Sequence, residues 1–402
     1  MIQLRYNKKK SIDYILVFLL ISISGNPFFS GTNILSIIFL FTLYIFIKRK
    51  KKIEEKFLIF ISILFIITVF QTVIFSFFSL ITIIGLFMRI FIAYMVVKIV
   101  TNKFIDNYIK IMYLLSLFSL FFYIISNLNL NLLIPFSINV SGEESLYPRY
   151  SIFGIFTYIT PFIDRNSGPF WEPGAFAGYL IIAFIFNYFS SLSKKNKINK
   201  ILLITIISTF STTVYLAIFS FFFLIYFKNI KNFFLKIFSV MFILSIGYYA
   251  YFNFDFLGKK IENQYSIIEK NINPYLQNTD TQRFLNILRD IKDFEEHEII
   301  GRGTNPITRY SFDSHNQIRT VGITDILVKF GIIFFILMLY YLYTSICSYL
   351  KYQKKKENLY CLSIFTTIII TLMSEVYFNY PFYWSLLFLY ILNKPKYKDT
   401  NI

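Results

Sequence analysis

Phe77 to Val97 reads FFSLITIIGLFMRIFIAYMVV, and Arg89 is its one charged residue. Roughly 17–25 such residues in a helix cross the hydrocarbon core of a bilayer. The stretch therefore reads as a spanning helix. Working outward, the same rule selects about twelve segments. They are Ile12–Phe29, Asn33–Ile47, Phe57–Phe75, Phe77–Val97, Tyr108–Ser126, Pro173–Phe189, Ile201–Phe210, Thr213–Phe227, Ile237–Phe252, Ile326–Tyr349, Leu359–Glu375 and Pro381–Leu392. Several are short enough to be tilted or half-length. The chain is 56% hydrophobic over 402 residues, with a mean hydropathy of +0.58. That is more apolar surface than a soluble core needs, and the expected class is an all-α polytopic membrane protein.

The net charge of +18 is gathered in short lysine runs between apolar segments: Lys8–Lys10, Lys48–Lys52, Lys194–Lys200, Lys228–Lys236 and Lys351–Lys356. Such runs mark cytoplasmic loops and contact anionic lipid. If every segment crosses once, all of them fall on one side together with Lys394 and Lys396, and both termini are cytoplasmic. This pattern argues for a membrane surface and against nucleic acid. The basic start and first apolar run resemble a signal peptide, but a second apolar segment follows at once, so a retained first helix is expected. Cys347 and Cys361 form neither a disulfide framework nor a metal site.

The expected organisation is N-terminal membrane helices (1–126), an outer loop (127–171), central helices (172–252), a large outer loop (253–325) and C-terminal helices with a cytoplasmic tail (326–402). Loops of this length are usually functional when they carry their own structure. In the second, Ile261, Tyr265, Ile268 and Ile272 recur at helical spacing, as in a helix lying on a membrane surface. Phe284, Leu288 and Ile291 form another stripe, expected to pack the loop down, with Thr279 or Asp280 as its cap.

Polar candidates cluster where these loops meet helices. Arg165-Asn166-Ser167-Gly168-Pro169-Phe170-Trp171-Glu172-Pro173 is turn-rich, and Pro173 suits the first position of a helix. Glu172 then sits at a helix N-terminus, either as a cap or as a functional carboxylate; Trp171 reads as an interfacial anchor. His315, in Asp313-Ser314-His315-Asn316, is either a general base or a solvated loop residue. His297, in an acidic run, reads as a solvated helix end. Arg89 inside an apolar segment is a functional candidate by default, with snorkelling toward an interface as the competing reading. Arg283, Arg289 and Arg302 lie in the second loop, where arginine suits phosphate. Glu375, before Tyr377, Asn379 and Tyr380, is a further candidate. No phosphate-binding loop, zinc spacing or nucleophile elbow occurs. Carboxylates for a metal are few, so metal-independent chemistry is expected.

The order of many helices, Arg165-x-x-Gly168-x-Phe170-x-Glu172-Pro173, a large outer loop and then His315-Asn316 resembles the O-antigen polymerase (Wzy) and O-antigen ligase superfamily. Arg283 to Gly303, ending Ile300-Gly301-Arg302-Gly303, and Gly331-Ile332-Ile333 resemble further segments of that family. The resemblance covers most of 165–335. Ser208 to Thr213 departs from ligase-like members, which carry a Ser-Arg pair there, and Glu172-Pro173 looks more like the polymerases. The resemblance implies a GT-C-like membrane glycosyltransferase of the bacterial cytoplasmic (inner) membrane, working at its outer face without metal or cofactor. Donor and acceptor are polyprenyl-diphosphate-linked glycans of a lipopolysaccharide, capsule or exopolysaccharide pathway, and a chain-length-regulating protein is an expected partner. By this resemblance His315 is the base or orients the acceptor, and Glu172 is the alternative base. Arg165 and Arg283 hold the diphosphate, with Arg89 and Arg302 in second line. The alternatives are a ligase-type glycan transferase and a polysaccharide flippase or transporter. Transporters of that kind often show internal repeats and mid-bilayer charges; no repeat is evident in this chain.

Overall fold

The computed structural model describes residues 2–142, 147–192, 195–232, 234–237, 241, 245, 283–310, 319–355 and 357–393. The described chain is mostly helical: α1 (Ile2–Ser22), α2 (Thr32–Lys48), α3 (Glu55–Ile74), α4 (Leu80–Val100), α5 (Phe104–Leu128), α6 (Pro173–Phe189), α7 (Lys195–Ser208), α8 (Thr212–Asn229), α9 (Arg283–Glu295), α10 (Pro306–Arg309), α11 (Gly322–Tyr352), α12 (Asn358–Leu372) and α13 (Pro381–Leu386). Four stretches are long and apolar enough to cross a membrane: α3, the joined α4–α5 stretch of 49 residues, α8 and α11. Four more apolar helices are shorter: residues Ser11–Ser22 of α1, α2, α6 and α12. Most of the expected segment Ile237–Phe252 and all of the expected helix at 261–272 lie outside the described residues.

The burial pattern suits a lipid-facing bundle. Ile81 (83% exposed), Val73 (69%) and Ile37 (65%) point outward, whereas a soluble protein rarely exposes large contiguous apolar surface. A helix satisfies its own backbone groups without water, which is why such segments fold this way in lipid. At the centre stands α6, in which nearly every side chain is buried. Its small residues let neighbours come close: a Cβ on Gly178 would lie 1.9 Å from the Tyr377 hydroxyl oxygen. α6 packs against α5, α7 and α8; α12 lies along α8, and α2 along α4.

Contacts gather particular helix ends at one end of the bundle. The C-terminal ends of α1, α3, α5, α7 and α12 meet the N-terminal ends of α2, α4, α6, α8 and α11 through the loops they share. Lysine pairs occupy the opposite ends, where Lys98 meets Glu54 and Lys228 meets Glu357.

The 127–171 loop is not purely irregular. It holds an antiparallel sheet, β1 (Ser137–Asn139), β2 (Arg149–Ile152) and β3 (Phe156–Ile159), in the order β1-β2-β3. Phe153 (φ 49) and Gly154 (φ 68) turn β2 into β3 with positive φ at both positions, and Ile155 N donates to Ile152 O at 2.9 Å to close the three-residue turn. The Asn26 amide donates to Gly154 O at 2.6 Å, tying the hairpin to the end of α1.

α11 is broken at Gly331 (φ 72, ψ 175). The segment 298–303 fills the break. Arg302 N donates to Val328 O at 2.7 Å, Gly303 N to Lys329 O at 2.9 Å, and Ile332 N to Glu298 O at 2.8 Å. The Gln71 amide of α3 closes the joint, donating to Ile300 O (2.6 Å) and Lys329 O (2.8 Å). Helical carbonyls released by the break thus find donors, as buried backbone requires. Glycine is needed on both sides: a Cβ on Gly331 would sit 2.1 Å from Ile299 O, and one on Gly301 2.5 Å from Gly331 N.

α9 reverses the expected packing. Asn286, Arg289, Asp290 and Asp293 are fully buried, whereas Ile291 is 43% exposed. The stripe through Leu288 and Ile291 therefore does not form the buried face. The polar face goes inward because its partners are there. Arg309 reaches Asp290 (2.7 Å), Asp293 (3.3 Å) and Asp325 (3.0 Å). Arg319 reaches Asp290 (3.2 Å) and Asp293 (3.0 Å), and Lys329 reaches Asp325 (2.6 Å). Three carboxylates meet three cations, which is the condition under which buried charge is tolerated.

Candidate functional site: a carboxyl pair at the head of α6

The turn from Arg165 to Trp171 is shaped by its own polar groups. Asn166 Oδ1 accepts from Gly168 N at 2.9 Å, and Asn166 Nδ2 donates to Ser208 Oγ at 3.0 Å. Gly168 takes φ 51 with Phe176 pressed against it, so a Cβ there would meet the ring at 2.5 Å. Trp171 N donates to Gly25 O at 3.1 Å. Its indole stacks on Tyr380, with centroids 4.7 Å apart and a 29° tilt, and lies beside Glu375. Trp171 is therefore built into the wall of the site.

Glu172 starts α6 through its backbone, its carbonyl accepting from Phe176 N at 3.2 Å. Its side chain makes no capping bond. It lies instead beside Glu375, which follows α12: a Cβ on Gly174 would meet Glu375 Oε1 at 3.2 Å and Glu172 Oε1 at 4.0 Å. Glu375 is 7% exposed. Burial, then the adjacent Glu172, pushes its carboxyl well above the usual carboxylate range, against the pull of Arg283 and the indole of Trp171. Two adjacent carboxyls cannot both ionise cheaply, which is why the neighbour adds to the effect of burial on Glu375. Gly322 lets α11 start against this turn; a Cβ there would lie 2.2 Å from Glu375 O.

Arg283, the first residue of α9, brings the second loop to the pair. Its guanidinium lies 3.6 Å from Glu375 Oε1 and donates to Thr213 Oγ1 at 3.0 Å. Arg165 approaches the same 208–213 turn from the other side, donating to Thr209 O at 3.2 Å and Phe210 O at 3.3 Å. It thus satisfies carbonyls released just beyond the end of α7, a favourable place for a cation. Tyr380 forms the other wall. Burial first, then Glu375 and Glu172, raises its phenol to about 12, with Arg89 and Arg149 acting in the opposite sense.

The structure thus brings Glu172, Arg283 and Glu375 together, with Arg165 at the neighbouring turn and Arg89 beyond Tyr380. It does not bring Arg302 there. Arg302 pairs with Glu296 and donates to Thr308 O (2.9 Å) and Tyr310 O (3.3 Å), holding the segment that fills the α11 break. His297 rests against Phe75, with centroids 4.7 Å apart, and burial lowers its pKa. His315 lies outside the described residues. Arg149 and the Asp290–Arg309 network went unrecognised in the sequence. The network's one signal is the polar run Asn286, Arg289, Asp290, Asp293 at helical spacing along α9.

Compared with known proteins, the chain matches no family model and no curated protein.

Proposed function

We propose that the chain is a polysaccharide polymerase, a multi-pass glycosyltransferase with about twelve crossings and both termini cytoplasmic. It would join polyprenyl-diphosphate-linked oligosaccharide repeat units at the outer face of the bacterial cytoplasmic membrane. The observation that carries this reading is the Glu172–Glu375 pair with Arg283 beside it. Transfer needs a base for the acceptor hydroxyl and positive charge for the departing diphosphate. Glu172 takes the acceptor proton as the acceptor oxygen bonds to the anomeric carbon. The bond from that carbon to the phosphate oxygen breaks, and the diphosphate leaves as an anion. Arg283 is placed to receive its charge, with Arg165 at the adjoining turn. Protonated Glu375 holds Glu172 in place by hydrogen bond. His315, beside Asn316 in the same large loop, is the second candidate for orienting the acceptor. Ser208 to Thr213 lacks the arginine of ligase-like members, yet Arg165 and Arg283 both reach this turn from elsewhere in the chain.

A buried carboxyl pair and the break in α11 also suit an ion-coupled transporter, in which broken helices line the site. Reconstitution separates the readings. The test supplies a polyprenyl-diphosphate-linked repeat unit without ATP or metal, and resolves the lipid-linked products on a gel. A ladder that disappears in Glu172→Gln is expected. Translocation of unchanged substrate would replace the polymerase reading with the transporter, and transfer to a different acceptor would replace it with a ligase.

A further inference from the structure

Two hollows near the 374–380 turn share a wall. One lies between the end of α3, the start of α4 and the 303–308 segment, and is lined by Gln71, Phe75, Phe77, Ser79, Asn305 and Thr308. The other is bounded by Arg89, Asp325, Lys329, Phe378 and Asn379. Thr82 and Thr304 line both, so they are lobes of one cleft. Each lobe has a volume of about 40 Å³ and opens to the surface, so a ligand lies along its mouth.

The lobes differ in chemistry. The first offers hydroxyls, side-chain amides and two aromatic rings with no charge, the mixture that suits a sugar's hydroxyls and its apolar ring face. Hydrogen bonds already fix its walls: Asn305 donates to the Thr82 hydroxyl at 3.3 Å, and Ser79 lies 2.9 Å from the same hydroxyl. In the second lobe Lys329 is held by Asp325 (2.6 Å) and Asn379 (2.7 Å), and Asp325 is also held by Arg309 (3.0 Å). Arg89 is the charge left over. Among the described residues its guanidinium has no carboxylate or hydrogen-bond acceptor, and only the Tyr380 hydroxyl acts on it electrostatically. A half-buried guanidinium at the end of a hydroxyl-lined cleft is built for a carboxylate or phosphate carried on a polyol, since it binds planar anions through paired hydrogen bonds.

We infer that this cleft binds an acidic sugar residue, with its anionic group on Arg89 and its ring along the lobe between α3, α4 and Asn305. This rests on the reading of the chain as a glycosyltransferase, and names a negatively charged sugar in the repeat unit as part of its substrate. The site is separate from the carboxyl pair, with Tyr380 between them.

The test is direct binding, independent of transfer. Full-length protein in nanodiscs is titrated with glucuronate, glucose 1-phosphate, glucose and inorganic phosphate by ligand-observed NMR. Glucuronate or glucose 1-phosphate is expected to bind at least tenfold more tightly than glucose or phosphate. Whichever binds names the anionic group. Arg89→Gln should remove that preference, and Thr304→Phe, which fills the junction of the lobes, should abolish binding. Both variants are checked for unchanged size-exclusion profile and unfolding midpoint; if one fails that check, the other decides. Equal binding in wild type and variant overturns the inference. So does inorganic phosphate binding as tightly as either acidic sugar, which would reveal an anion site with no sugar recognition. A polymer ladder that persists while acidic sugars fail to bind would overturn this inference alone and leave the polymerase reading standing.

Discussion

Replacing Gly331 by alanine tests the account of the broken helix. At φ 72 and ψ 175 the residue occupies a region that is essentially reserved for glycine, at about 1–3 kcal/mol for other residues. The new Cβ would sit 2.1 Å from Ile299 O, so the 298–303 segment must withdraw. Withdrawal breaks the three backbone hydrogen bonds that join the segment to α11, each contributing about 1 kcal/mol net. The total is roughly 4–6 kcal/mol, since both effects act together. The assay is loss of the monodisperse size-exclusion peak on heating in detergent. A midpoint at least about 5 °C lower is expected, from the usual scaling of stability to midpoint for a chain of this size. The control is Gly85→Ala, where a Cβ meets only Arg89 Nη1 at 3.5 Å; removing a helical glycine should raise stability by about 0.5–1 kcal/mol. A Gly331→Ala midpoint within about 1 °C of wild type would refute the argument, because a loss of this size cannot leave the midpoint in place.

Glu375→Leu should abolish transfer, since nothing then holds Glu172 by hydrogen bond, and full turnover in that variant would exclude the pair as the reacting centre. Glu375→Gln should be more stable than wild type at alkaline pH. The buried carboxyl's raised pKa means the unfolded chain loses its proton first. Stability therefore falls as pH rises from the ordinary value of 4.5 to the folded value, and Gln removes that fall; identical pH profiles would contradict the raised carboxyl. Arg309→Met leaves Asp290, Asp293 and Asp325 short of a cation in a buried site, which costs about 3–5 kcal/mol. A melting curve that does not move would show that Arg319 and Lys329 suffice. Arg165→Ala should lower transfer while leaving surface expression intact, and unchanged ladders on the gel would remove it from the site.

The local signals in the sequence were strong where the cause was local. Pro173 as the first residue of α6 and Phe189 as its last follow from proline chemistry and apolar run length. The glycines at 168, 301 and 331 mark positions whose backbone needs them. Arg165, Glu172 and Arg283 stood out because so few polar residues lie beside the membrane helices. Other features depend on partners distant in the chain. Glu375 gains its weight from Glu172, some two hundred residues earlier, and Trp171 is drawn into the site by Tyr380. The inward polar face of α9 depends on Arg309, Arg319 and Asp325, which no periodicity within 283–295 reveals. The hairpin at 149–159 was hidden because its strands are three or four residues long, too short for an alternation pattern to register.

The burial of the polar face of α9 bears on how the chain is made. Asp290 and Asp293 leave the ribosome before Arg309, Arg319 and Lys329, the cations that neutralise them. Until the next forty residues are translated, this helix has no place in a low-dielectric interior and must wait in water. Its docking is therefore timed by synthesis of the start of α11, and the Glu375 turn on which Gly322 rests comes later still. The carboxyl pair is completed only by the last hairpin of the chain, so an arrested nascent protein holds half a site. A truncation ending before residue 375 should insert its helices and still lack the second carboxyl, which separates membrane assembly from completion of the carboxyl pair.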